Sequence, residues 1–202
     1  HTMSQLHADA AAIFSYNPEM RSLDHIVSLG FRQSGLIHSS LRITGRILDE
    51  ALLDRKMIRV DTIGKEQQFH RKDLAQQERF ISYFASPLIS KGQVKGILEV
   101  FYRQPHPPEA DWMDFFQTMS GQAAIAIDNS QLFDNLQRSN QELSLAYDTT
   151  LEGWGKALEL RDRETQGHTL RVTDLTLRLA RRMRVPEADL VSIRRGVLLH
   201  DI

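Results

Sequence analysis

The sequence predicts an α+β fold: a central antiparallel sheet, then a long connecting helix, then an all-α segment. Three observations predict it. The first hundred residues hold short strand-like apolar runs arranged as hairpins. Beyond residue 110 the apolar residues recur at steps of three and four. That helical pattern runs on past the 8–20 or so residues of an ordinary globular helix.

The elements follow in order. Ala8 to Tyr16 is strand-like and stops at Asn17-Pro18, a turn signal. Leu23 to Phe31 is a second run, so the two predict an antiparallel hairpin with a longer loop. Leu36 to Leu53 carries apolar residues mostly three and four apart, which predicts a helix with a break near Gly45. Lys56 to Val60 reads as a short strand. Residues 61–79 are polar and charged, and read as a mobile loop or a short surface helix. Phe80 to Ser90 and Val94 to Tyr102 flank Lys91-Gly92-Gln93, the best hairpin signal in the chain. Pro87 has no N–H to give, which implies an edge position or a bulge. Pro105, Pro107 and Pro108 then stop the sheet.

Trp112, Phe115, Phe116, Met119, Ala123 and Ile127 share one helix face and predict packing on the preceding domain. Leu132, Leu136, Leu143, Ala146 and Thr150 approximate a and d heptad positions, with Ser139 as a polar a position. The pattern predicts a two-stranded coiled coil over 128–150, and hence a homodimer through the 112–150 helix. Gly153 and Gly155 weaken the helix or mark a hinge. One further helix is predicted from about Thr165 to Met183, with Leu170, Val172, Leu175, Leu177, Leu179 and Ala180 as its apolar set. Pro186 fits the first turn of the next, which carries Leu190, Ile193, Val197, Leu198 and Leu199. The chain stops inside that apolar run, which predicts a longer protein around it.

Composition narrows the function classes. The 202 residues include no cysteine and 8 histidines. Disulfides, thiolate zinc sites and iron–sulfur clusters are excluded, so a metal must be held by His and carboxylates. The net charge is −1, with 25% charged residues, and gives no reason to expect nucleic acid as a partner. Arg178, Arg181, Arg182 and Arg184 cluster where a helix C-terminus favours cations. No apolar run of about 18 residues and no signal-peptide pattern is present, so a cytoplasmic location is expected.

Four residues stand out chemically: Glu164, His168, His200 and Asp201. Glu164 and His168 are four apart and share a face of any helix that holds both. His200-Asp201 ends an apolar run, where two unpaired ionisable groups would cost several kcal/mol if buried. A divalent cation would satisfy them, but a His-Asp dipeptide is common and a helix-end His is more often a capping residue.

The stretch Glu164-Thr165-Gln166-Gly167-His168-Thr169-Leu170-Arg171-Val172, about thirty residues before His200-Asp201-Ile202, resembles the HD superfamily. Ala157 to Asp162 before it narrows the resemblance to the HD-GYP branch. That resemblance implies an all-α, metal-dependent phosphodiesterase of cyclic di-GMP, using iron, manganese or another divalent metal. It implies that His168, His200 and Asp201 are metal ligands and that Glu164 is the extra ligand of three-metal members. The Gly-Lys after His-Asp-Ile, the later ligands and the Gly-Tyr-Pro motif do not occur in these residues. The stretch alone is therefore expected to be inactive.

The first 130 residues resemble a GAF domain. The matching pieces are Ala8 to Ile13, Ser28-Leu29-Gly30-Phe31, Ser86-Pro87-Leu88-Ile89 with Gly92, Gly96 to Val100, and Gln122 to Asn129. The resemblance implies an α+β sensor with a ligand pocket on one face of the sheet, its first helix mostly missing. A small-molecule effector is the implied partner, and its identity stays open. A covalent bilin is excluded by the lack of cysteine. His25, His38 and His70 are possible haem ligands, or simply hydrogen-bonded histidines. Phe69, Phe80, Tyr83 and Phe84 line a pocket or fill a core.

The organisation expected is a GAF domain at 4–130, a signalling helix at 131–155 and the first part of an HD-GYP-like domain at 156–202. The function expected is a bacterial-type sensor that regulates cyclic di-GMP hydrolysis. The alternatives are a non-catalytic sensory and dimerisation module with a degenerate HD part, or an HD hydrolase of another nucleotide.

Overall fold

The computed structural model describes residues 6–32, 41–43, 46–162 and 167–200. The chain divides into two compact units, His1–Leu132 and Phe133–Ile202.

The first unit is built on a six-stranded antiparallel sheet. Its strands are β1 (Ala10–Asn17), β2 (Ser22–Leu29), β3 (Leu41–Arg42), β4 (Ile58–Val60), β5 (Ser82–Ser90) and β6 (Gln93–Tyr102). They lie in the order β3-β2-β1-β6-β5-β4. The first predicted hairpin is present as β1 and β2, its turn held by Asn17 Oδ1 accepting from the N–H groups of Glu19 and Met20. The second is β5 and β6, joined by Lys91 and Gly92 alone, both at positive φ (50° and 75°). That pairing of left-handed residues matches the twist of a two-residue hairpin. Pro87 pairs with Ile97, beyond the last β4–β5 pair at Ile58 and Ala85, so its strand is an edge at that point.

Strand alternation sends the two faces of the sheet to different partners. Phe14, Leu23, Tyr83, Ile97 and Phe101 point to one core, closed by α1 (Arg46–Leu52) and α2 (Lys72–Glu78). Phe84, Leu88, Leu98 and Val100 point to the other, closed by Phe116 and Ala124 of α3 (Ala110–Asp162). Gly96 sits where β6 passes β1. A Cβ there would lie 2.0 Å from the Phe14 carbonyl oxygen, so only glycine fits.

Several expectations need correction. Leu41 and Arg42 lie in a strand paired with Leu23 and Ser22, so they are not part of the helix predicted over 36–53, which among the described residues is Arg46–Leu52. Residues 33–40, 44 and 45 lie outside the described residues. Segment 61–79 does hold a short helix, Lys72–Glu78, but it is not a surface element, since Ile63, Phe69, Arg71, Leu74, Ala75 and Glu78 are buried. Its polar sequence conceals a plug over the sheet. The fully packed stripe of α3 is Phe116, Ser120, Ala124 and Asp128, four residues apart, flanked by the partly buried Trp112, Phe115, Ala123 and Ile127.

The second unit packs the C-terminal part of α3 with α4 (His168–Arg182) and α5 (Glu187–Leu198). Gly153 and Gly155 do not interrupt α3. Gly155 lets the helices approach, since a Cβ there would meet the Leu198 carbonyl oxygen at 3.3 Å. Arg195 donates from Nε to Asp148 Oδ1 (2.8 Å) and from Nη2 to Ser144 Oγ (3.1 Å), and Arg194 pairs with Glu152. On α4 the buried residues are Thr169, Thr173 and Ala180, whereas Leu170, Leu175 and Leu179 are exposed. Pro186 is the N-cap of α5 rather than a residue of its first turn. Arg178 and Arg181 of the basic cluster pair with Asp174 and Glu187. Among the described residues no helix is long and apolar enough to cross a membrane.

Candidate functional site

The first candidate site lies on the sheet face covered by α1 and α2. Glu99 is in the middle of β6, flanked by core residues on both sides, and is fully buried. A buried carboxylate needs partners. Oε1 accepts from Tyr83 Oη at 2.7 Å and from His70 Nε2 at 2.9 Å. Arg71 Nε stands 3.3 Å from Oε2. The Arg71 guanidinium lies 4.6 Å from the centre of the Phe14 ring, a cation–π contact. Phe69 meets Tyr83 edge-on at 5.0 Å.

The electrostatics follow from these contacts. Burial by itself would raise the Glu99 carboxyl. The Arg71 charge, the hydrogen bond and charge of His70, and the Tyr83 hydroxyl outweigh it and hold the group at about 2. Tyr83 moves the other way, pushed well above its ordinary value by burial and by the Glu99 charge. Glu99 is therefore a carboxylate at neutral pH and Tyr83 a phenol. Four atoms of the cluster have no hydrogen-bond partner: His70 Nδ1, Arg71 Nε, Arg71 Nη2 and Glu99 Oε2.

Open space borders the segment that delivers His70 and Arg71. A cavity of about 450 Å³ is lined by Ile47, Glu50, Ile58, Arg59, Val60 and residues 65–68. On the opposite face of the sheet an apolar groove of about 410 Å³ runs between β1–β2 and α3.

Of the three candidate haem ligands, His70 is committed to Glu99, and His25 Nε2 shares a 3.0 Å hydrogen bond with Ser28 Oγ. His38 lies outside the described residues. Tyr83 and Phe69 do stand at the site. Sequence reasoning missed Glu99 and Arg71 as site residues. A signal existed for Glu99: an acid inside Ile97-Leu98-Glu99-Val100-Phe101 must face a core if both faces of that strand are covered.

The second candidate site is in the other unit. The rings of His168, at the start of α4, and His200, just after α5, are 5.7 Å apart, centre to centre. His200 Nδ1 donates to the Val197 carbonyl at 2.8 Å. Metal–nitrogen bonds of about 2.1 Å put two ring centres roughly 5–6 Å apart, so the pair fits a shared cation. Glu164 and Asp201 lie outside the described residues. Among the described residues no group of three or more potential ligands occurs.

A family model described as "GAF domain" matches residues 1–128. Solved structures similar to this chain include the GAF domain/HD domain protein from Geobacter sulfurreducens, at 18% identity and a TM-score of 0.57, covering 66% of this chain and 89% of that one. The GAF domain of a two-component sensor histidine kinase from Bacillus halodurans matches at 20% identity and a TM-score of 0.57, covering 66% and 92%. The GAF domain from an Acinetobacter phosphoenolpyruvate-protein phosphotransferase matches at 16% and 0.56, covering 66% and 78%. At these identities the likeness is one of fold. The search of curated proteins returned no match.

Proposed function

This chain belongs to the GAF domain family, and from that premise we propose that it is the sensing and connecting part of a signalling protein whose output is an HD-GYP phosphodiesterase of cyclic di-GMP. Residues 4–130 are the sensor for a small-molecule effector, 131–155 the signalling helix, and 156–202 the beginning of the HD domain. The sensor half is supported by the family and by the signalling proteins whose domains share the fold. The single observation behind the enzymatic half is the approach of His168 and His200 to a distance that suits one divalent cation.

Glu164, His168, His200 and Asp201 would hold iron, manganese or a similar metal. When bound, such a metal clamps a phosphodiester and supplies hydroxide at neutral pH. Within this chain, the Val197 carbonyl orients the His200 ring, and the Arg194 and Arg195 pairs with α3 fix the helix that carries it.

The connecting helix supports a dimer. Leu132, Leu136 and Leu143 of the heptad-like set are exposed on α3, Leu136 and Leu143 at 69% each. An exposed apolar stripe along a helix supports pairing with a second copy.

Calorimetric titration of the chain with manganese is the first test, with His168→Ala and His200→Ala each expected to weaken binding at least about tenfold. Cyclic di-GMP turnover by the longer protein, with manganese or iron, is the second. No turnover with either metal removes the phosphodiesterase and leaves the sensor.

A further inference from the structure

The buried pair of Glu99 and Arg71 is imperfect in a specific way. Both side chains are almost wholly buried, at 0% and 4% exposure. Yet Arg71 Nε, 3.3 Å from Glu99 Oε2, makes no hydrogen bond to it, and Arg71 Nη2 also lacks a partner. Arginine meets a carboxylate best through two parallel N–H···O bonds, and a buried pair repays its desolvation only with good geometry.

The two halves of the pair are anchored differently. Glu99, Tyr83 and Phe14 sit on β6, β5 and β1, in the hydrogen-bonded middle of the sheet. Arg71 and His70 arrive on the short connection between the 3₁₀ turn Ile63–Lys65 and α2. Space flanks that connection at both ends. The 450 Å³ cavity borders Lys65 to Gln68, and a second of about 320 Å³ borders Gly64 and Lys72. The fixed half is thus an acid, a phenol and an aromatic face, which together receive cations. The other half is the cation that fills it, carried on a connection bordered by open space.

We propose that Arg71 holds the place of a small organic cation, a guanidinium or primary ammonium compound, which binds Glu99 and the Phe14 face by displacing residues 65–72. The proposal rests on the sensor reading and names the class of its effector. A free guanidinium can turn to make both hydrogen bonds that Arg71, tethered to its backbone, does not make. The tether also sets a threshold. A protein whose competent state is only partly populated binds with an affinity reduced by that fraction.

The test is calorimetric titration of the 202-residue protein with agmatine and with ethylguanidinium, against sodium chloride at matched ionic strength, combined with hydrogen exchange over residues 65–79. Saturable binding is expected, with faster exchange at 65–72, and Glu99→Gln abolishes both. Arg71→Ala removes the internal competitor and is expected to bind ethylguanidinium about tenfold more tightly or better. Should that variant unfold, recovery of its Tm by millimolar ethylguanidinium, and not by sodium chloride, reads out the same site. No saturable binding by the wild type up to about 10 mM, or no gain in affinity or Tm for Arg71→Ala, overturns the proposal. A neutral or anionic metabolite that changes exchange at 65–79 in their place also overturns it, while leaving the sensor reading intact.

Discussion

Replacing Glu99 by Gln keeps the side-chain volume and removes one charge. Arg71 is then buried beside Phe14 with no counter-charge, and breaking one half of a buried pair costs about 3–5 kcal/mol. Protonation reports on the same cluster, since Arg71, His70 and Tyr83 together hold the Glu99 carboxyl down against burial. The Glu99 carboxyl stands at about 2 in the fold against an ordinary 4.5. At about 1.4 kcal/mol per pH unit, that difference contributes roughly 3 kcal/mol. Because the folded value is the lower one, the contribution is complete above about pH 4.5 and is lost as pH falls towards 2. The assay is urea unfolding followed by Trp112 fluorescence, in a Trp154→Phe background so that only the first unit reports. At pH 7, Glu99→Gln should lower stability by about 3–5 kcal/mol. Its deficit should shrink below pH 4.5, where the wild type loses the same interaction. Adding Arg71→Met should recover most of the loss, since an apolar residue of similar length needs no counter-charge. A cost under about 1 kcal/mol at pH 7, or a deficit unchanged at pH 3, refutes this account of the cluster.

Three further outcomes are expected. Gly96→Ala drives a Cβ into the Phe14 carbonyl oxygen and should cost about 3 kcal/mol or more, a fall in Tm on the order of 10 °C by calorimetry. Sedimentation should give about twice 23.2 kDa for the wild type, and Leu136→Glu with Leu143→Glu should return it to the monomer mass. Asp128, held at about 2 by hydrogen bonds from Lys95 and then Lys91, should keep its grip until strongly acid pH. Asp128→Asn should therefore raise hydrogen exchange in residues 88–95 already at neutral pH.

The strands and hairpins were legible because their signals are local. Asn17-Pro18 and Lys91-Gly92 sit between strand-like runs, the first opening its turn and the second forming the whole of it. The plug at 61–79 was illegible for the opposite reason. Its polarity reads as solvent exposure, but His70 and Arg71 are buried beside a carboxylate that lies 29 and 28 residues further along, on a strand read as ordinary core. Glu78 is hidden in the same way, paired with Arg103 at 2.6 Å. Charge partners separated in sequence leave no periodic trace. The short α1 was overextended because Leu41 and Ile43 fit a helical spacing, while pairing of Leu41 with Leu23 decides the outcome. On α4 the apolar set does not mark the buried face: Leu170, Leu175 and Leu179 are exposed, whereas Thr169 and Thr173 are buried with Ala180. Thr173 Oγ1 bonds the Thr169 carbonyl one turn back, so its hydroxyl needs no partner outside the helix.

The buried stripe on α3 explains where that helix leaves the sheet. Phe116, Ser120, Ala124 and Asp128 are each four residues apart, whereas a turn takes 3.6. The line of contact therefore drifts around the helix, and by Leu132 the apolar side chains are exposed. Asp128 is the last buried member, and it is fastened by charge rather than by packing. Its Oδ1 accepts from Lys95 Nζ at 2.7 Å, and its Oδ2 meets Lys91 Nζ at 3.1 Å and Ser90 Oγ at 3.2 Å. Lys95 is free to do this because the β5–β6 register shifts there: Leu88 pairs with Gly96 and Ile89 with Val94, so Lys95 has no partner across the ladder. The same hairpin carries Tyr83 and Glu99, on the facing strands that the bulge bends. The Glu99 cluster and the Asp128 contacts of the connecting helix thus lie on one hairpin.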